Sequence, residues 1–96
     1  MYAKRIDSNQ NSIVKSLRDH GATVRVVSQG DGLPDLLIGY KGETALLEVK
    51  DGDKFPSQRK LTTAEQKFFD EWRGGILVIV NSVEEALDVL HKIDTM

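Results

Sequence analysis

Two short runs, each apolar at consecutive positions and joined by four residues suited to a reversal, constrain this chain most. Residues 35–40 contain Leu36, Leu37 and Ile38, and residues 44–50 contain Ala45, Leu46, Leu47 and Val49. Strands without a polar face belong inside a sheet covered on both sides. Between them, Tyr40-Lys41-Gly42-Glu43 suits a tight turn in which glycine supplies the positive φ. With Lys41 and Gly42 as the loop residues, Tyr40 faces Glu43, and counting outward brings Asp35 opposite Glu48. Facing residues of an antiparallel pair hold their Cβ atoms ~4.5–5.5 Å apart on one sheet face. Lys50, two residues beyond Glu48, projects to that same face.

The remaining elements fall on either side of this hairpin. A first helix is expected from Asp7 or Ser8, both good N-caps, with Ile13, Val14 and Leu17 at helical spacing and His20-Gly21 at its end. Residues 22–27 read as a strand, and Ser28 to Leu33 as a loop. Thr62-x-x-Glu65 is a capping box that opens a second helix striped with Phe68, Phe69 and Trp72, of which Trp72 is expected in the core. Residues 76–80 are five successive β-favouring apolar residues, expected to form a central buried strand. Ser82-x-x-Glu85 opens a third helix with Val83, Ala86, Leu87 and Leu90 on one face. The order α-β-β-β-α-β-α implies an α/β domain, a small mixed sheet flanked by helices on both faces. At 96 residues a single domain, residues 1–96, is expected.

Composition narrows the function classes. The absence of cysteine excludes disulfides and thiolate metal sites. No apolar window is long enough to span a membrane, and the basic N-terminus leads into no secretory-type apolar segment. A cytoplasmic location is therefore expected. The net charge of −2 is uneven: twelve Lys and Arg meet eleven Asp and Glu up to Arg73, and one lysine meets four acids after it. Bulk charge does not direct this chain to nucleic acid. Any such function needs a local basic surface or a bound cation.

Two facing carboxylates at the end of apolar strands repel unless something compensates them. A hard divalent cation does so, and Mg²⁺ held by one or two carboxylates keeps waters and open positions for phosphate oxygens. Lys50 beside it can hold or help to deprotonate a water, and metal and lysine together stabilise charge developing on a phosphodiester. The plainer alternative is that Pro34-Asp35 begins a strand and Glu48-x-Lys50 is an exposed pair.

The residues Gly32-Leu33-Pro34-Asp35 and Glu48-Val49-Lys50, with Gln66 and Trp72 on the following helix, resemble the PD-(D/E)XK nuclease superfamily. More narrowly they resemble its stand-alone VRR-Nuc (virus-type replication–repair nuclease) domains. The resemblance covers nearly the whole chain. It implies a restriction-endonuclease-like core and a Mg²⁺-dependent endonuclease, with Mn²⁺ able to substitute. It also implies a homodimer acting on branched DNA, as Holliday junction resolvases do, in a phage-infected or bacterial cell. Carried over by residue, Asp35 and Glu48 are metal ligands and the Val49 carbonyl a main-chain ligand. Lys50 positions or activates water, and Gln66 sits at the rim, the alternative being an ordinary exposed helix residue. One departure stands out: Ser12 occupies the first-helix position where a glutamate is expected, leaving Asn9 or Gln10 to face the site through water. A non-catalytic DNA-binding module derived from such a nuclease is the alternative that this departure raises.

DNA would need cations near the carboxylates. Lys54, Arg59 and Lys60 follow the Glu-x-Lys strand, and Lys15 and Arg18 lie on the first helix, so these residues are the candidates for phosphate contact. The glycines of Gln29-Gly30-Asp31-Gly32 match no phosphate-loop pattern and are expected to permit close approach of a DNA backbone or merely a turn.

Overall fold

The computed structural model describes the backbone of residues 4–51 and 60–96, and side chains within these from residue 9 onward. Among the described residues three helices and four strands follow in the expected order: α1 (Lys4–Asp19), β1 (Thr23–Val26), β2 (Leu36–Tyr40), β3 (Glu43–Val49), α2 (Thr63–Glu71), β4 (Ile76–Val80) and α3 (Val83–Asp94). The strands form one mixed sheet, β1-β2-β3-β4, with β4 parallel to β3 and the other pairs antiparallel. No described helix is long and apolar enough to cross a membrane.

The hairpin register is the expected one. Tyr40 pairs with Glu43 and Leu36 with Leu47. The turn places both loop residues at positive φ, Lys41 at 48° and Gly42 at 82°. That is the geometry whose twist matches right-twisted strands. Alternation then sorts the side chains. Val24, Leu36, Ile38, Ala45, Leu47 and Val80 face α1 and α3, where they form the core with Ile13, Leu17, Ala86 and Leu90. Leu37, Leu46 and Glu48 face the other way.

Several expectations need correction. Helix α1 begins at Lys4, so Asp7 and Ser8 lie inside it rather than at its cap. No glycine or proline there stops the helix from extending backwards. Among the described strands β4 lies at an edge rather than at the centre, and Ile79 on it is 38% exposed. Five apolar residues in a row record that helices or loops lie against the strand's faces, but not whether both of its edges are paired. Trp72 is half-buried rather than core. It is the C-cap of α2, stacks on Phe68 at 5.4 Å and donates from Nε1 to the Gly75 carbonyl. Helix α2 buries no residue fully. The second sheet face is thus covered only thinly, with Leu37 38% exposed.

Helix capping follows the sequence closely. Thr62 Oγ1 accepts from the Glu65 N–H at 3.2 Å, and Glu65 Oε1 accepts from the Thr62 N–H at 2.9 Å, a complete capping box. At α3 only half the box forms. Ser82 Oγ accepts from the Glu85 N–H, whereas the Glu85 carboxylate turns to the Asn81 N–H at 2.7 Å.

The glycine-rich loop serves the fold. Gly32 has φ +94°, and a Cβ there would run into the backbone carbonyl of Ala64 in the first turn of α2. The close approach is to the protein's own helix, and it holds the segment leading to Asp35 against α2. Gly30 also has positive φ, at +80°, but open space around it. Gly30→Ala should therefore cost only the left-handed backbone penalty of about 1–2 kcal/mol. Gly32→Ala should cost about 1–3 kcal/mol more, because the helix must move. Urea denaturation of the two variants side by side measures the difference, and equal losses would contradict the close packing.

Candidate functional site

The site lies at the end of the sheet where β2 begins and β3 ends. Asp35 directly precedes β2. Its main-chain carbonyl accepts from the Val27 N–H at 2.9 Å, and its Oδ2 accepts from the Val49 N–H at 2.8 Å. The carboxylate is thereby fastened across the hairpin to the residue between Glu48 and Lys50. Lys50 continues β3 outward, its N–H donating to the Val80 carbonyl at 3.0 Å. A cavity of about 360 Å³ opens beside them, lined by Asn9, Gln10, Ser28, Asp35, Val49 and Lys50 together with Asp51.

Glu48 is not among the residues that line this cavity and is only 3% exposed. Its Oε2 is 3.4 Å from the Lys50 ammonium, whereas its Oε1 is buried without a hydrogen-bond partner. Burial pushes the Glu48 carboxyl up to about 8, with the Glu65 and Asp35 carboxyls adding to the rise and Lys50 only partly opposing it. Lys50 is shared. Its closer partner is Glu65 Oε1 at 2.9 Å. Burial pulls the ammonium down, but the Glu65 and Glu48 carboxylates outweigh it and leave Lys50 raised. Burial likewise pushes Glu65 up, but the Thr62 N–H and Lys50 more than reverse this, so Glu65 is lowered. The cluster therefore holds Lys50 as an ammonium clamped between two acids.

Of the residues singled out from the sequence, Asp35, Glu48, Val49 and Lys50 come together. Gln66 does not join them. It donates to Asp70 Oδ1 at 2.9 Å on the exposed side of α2. Its neighbour Glu65 points inward instead, and one residue along a helix turns a side chain by about 100°. Glu65 was legible as a cap but not as a partner of Lys50, because its reach to β3 depends on how α2 docks. On α1, Ser12 is exposed and outside the cavity lining. Asn9 takes the inward position, one helical turn before Ile13, and donates from Nδ2 to the Lys50 carbonyl at 3.0 Å.

The cations are less gathered. Lys15 pairs with Asp19 at 2.9 Å on an exposed face. Arg18 donates to the Val24 carbonyl at 2.8 Å, tying α1 to β1. Neither lines the cavity. Lys60 is exposed, and Lys54 and Arg59 lie outside the described residues.

A divalent cation suits this donor set on one specific ground. The buried Glu48 Oε1 lacks a partner, and an unmatched carboxylate oxygen at such depth is costly unless it is protonated or coordinated. Among the described residues no group of three or more His, Cys, Asp or Glu side chains is arranged to hold a metal. The set in question is two carboxylates with a main-chain carbonyl. No family model, curated protein or solved structure matches the chain.

The electrostatics set a pH dependence. Folded Glu48 keeps a proton up to about pH 8, whereas in the unfolded chain it releases it near 4.5. The folded state binds the extra proton between those values, so stability should fall as pH rises from about 5 to 8, by a few kcal/mol at most. Glu65, being lowered, has its contribution in place above its ordinary range and adds no slope there. Metal-free denaturation midpoints across this window should decline. Glu48→Gln should flatten the decline, and an unchanged slope in that variant would refute the assignment.

Proposed function

We propose that the chain is a metal-dependent endonuclease that hydrolyses phosphodiester bonds in branched or otherwise structured DNA, and that it works as a homodimer in a phage-infected or bacterial cytoplasm. The observation that carries this reading is the convergence of Asp35, Glu48 and Lys50 at one sheet end, where Glu48 has a buried oxygen without a hydrogen-bond partner and Asp35 and Lys50 line a polar cavity. Asp35 and Glu48, with the Val49 carbonyl, would hold Mg²⁺ or Mn²⁺. The ion would supply a Lewis acid that activates water and neutralises phosphate charge.

The chain's own residues supply the rest. Held as an ammonium, Lys50 suits stabilisation of charge on a phosphate oxygen and orientation of a water better than proton abstraction. Glu65 restrains the lysine's position from the other side, at 2.9 Å. Asn9 closes the α1 side by gripping the Lys50 carbonyl. Lys60, and Lys54 and Arg59 beside it in sequence, would contact the phosphate backbone, with Lys15 and Arg18 more remote.

A second reading, a DNA-binding module without hydrolysis, is favoured by one observation. The α1 residues at the cavity, Asn9 and Gln10, are uncharged, so α1 contributes no acid to a second metal position.

A labelled four-way junction incubated with Mg²⁺, Mn²⁺ or EDTA separates the two. Cleavage should require metal and fall by at least about 100-fold in Asp35→Asn and Lys50→Ala, the scale of losing a principal charge-stabilising group. Salt-dependent binding without cleavage in either metal would establish the module instead. Metal binding should also release a proton at pH 7, since Glu48 must ionise to coordinate. Calorimetry in buffers of different ionisation enthalpy measures that release, and Glu48→Gln should abolish it.

A further inference from the structure

Different elements hold the main chain and the side chain of Lys50. Its N–H donates to the Val80 carbonyl of β4 at 3.0 Å, and its carbonyl accepts from Asn9 Nδ2 of α1 at 3.0 Å. These bonds fix where the side chain starts but not where its ammonium ends, because a lysine stem is flexible through four carbons. The ammonium is held by Glu65 Oε1 at 2.9 Å and Glu48 Oε2 at 3.4 Å, with the lysine side chain 15% exposed. Among the described residues lining the cavity, Lys50 is the one cation.

An ammonium has three N–H donors. With two acids in contact, one donor is left for a ligand in the cavity. The two acids are not equivalent. Glu48 belongs to the set that would hold the cation, so Glu65 is the acid left to hold the lysine in a loaded site. Its carboxylate is itself held in place. Oε1 accepts from the Thr62 N–H at 2.9 Å, and the Glu65 N–H donates to Thr62 Oγ1 at 3.2 Å, which fixes the side chain against the first turn of α2. Gly32 packs against the Ala64 carbonyl of that turn, leaving no room for a Cβ. Glu65 is therefore a fixed acceptor, 18% exposed, rather than a mobile surface acid.

We infer that Glu65 is a positioning residue for the proposed hydrolysis, holding the Lys50 ammonium so that its remaining donor meets a phosphate oxygen. This role rests on the nuclease reading, and the motif residues do not include Glu65. A lysine freed from Glu65 must be ordered anew in the transition state. Freezing a lysine side chain costs enough to slow turnover about ten-fold. The loss falls on the chemical step, so kcat should fall while KM stays unchanged.

Three variants separate positioning from helix capping. Glu65→Ala removes both bonds to Oε1. Glu65→Gln keeps a carbonyl oxygen for both and still completes a capping box. Thr62→Ala removes only the acceptor of the Glu65 N–H and leaves the Lys50 contact intact. On the labelled junction with Mg²⁺, Glu65→Ala should lower kcat about ten-fold at unchanged KM. Glu65→Gln should recover most of that loss, and Thr62→Ala should cut at the wild-type rate while unfolding at lower urea. A second measurement needs neither metal nor DNA. At about pH 6, where lysines are charged, ¹⁵N relaxation of the Lys50 Nζ should show it ordered in the wild type and in Glu65→Gln. In Glu65→Ala it should be as mobile as the exposed Lys92. If circular dichroism shows Glu65→Ala unfolded, Glu65→Asp takes its place, one carbon short of the lysine. A wild-type Lys50 as mobile as Lys92, a Glu65→Ala chain with wild-type kcat, or equal losses in Glu65→Ala and Thr62→Ala would each overturn the inference and leave the nuclease reading standing. A wild-type chain that cuts no junction with either metal removes the reading and the role together.

Discussion

The Lys41-Gly42 turn is the constraint on which the candidate site depends. Both residues take positive φ, and this two-residue reversal sets the pairing of β2 with β3. Slipping the pair by one residue would turn every side chain of one strand to the other face. Leu47, wholly buried among the α1 and α3 side chains, would leave the core, and Glu48 would enter it. The burial of Leu36, Ile38, Ala45 and Leu47 therefore reinforces the register that puts Asp35, Glu48 and Lys50 on a common face.

That register creates an electrostatic problem which the fold solves only in part. Glu48 is buried near two other acids, and one lysine serves both Glu48 and Glu65. Lys50 lies nearer Glu65, so Glu48 is left under-compensated and holds a proton into the neutral range. A buried acid with an unmatched oxygen is a poor structural element, since an apolar residue of similar volume would be less costly. That unmatched oxygen is what supports the proposed cation site, and the burial that creates it also makes the stability of the fold fall as pH rises.

Helix α2 links the site to the rest of the chain, although it buries none of its residues fully. Its first turn accommodates Gly32 at close range, which restrains the approach to Asp35. The same turn carries Glu65, whose Oε1 accepts both the Thr62 N–H and the Lys50 ammonium. A single carboxylate oxygen thus caps the helix and orients the lysine. Loss of either contact would disturb the other.

Local patterns in the chain determined a large part of this protein. The strand register follows from the turn residues, the starts of α2 and α3 follow from their N-caps, and the pairing of Asp35 with Glu48 follows from counting outward from Lys41-Gly42. These features rest on neighbours in sequence or on strict alternation, so they can be read without a fold. Tertiary structure alone decided that Glu65 rather than Gln66 meets Lys50, that Asn9 rather than Ser12 faces the cavity, that Gly32 makes room for α2, and that β4 lies at an edge among the described strands. Each of these depends on the rotation or position of one element docked against another. Apolar spacing marks which side of an element is covered, but it does not encode what lies opposite, because many partners can bury the same hydrophobic surface.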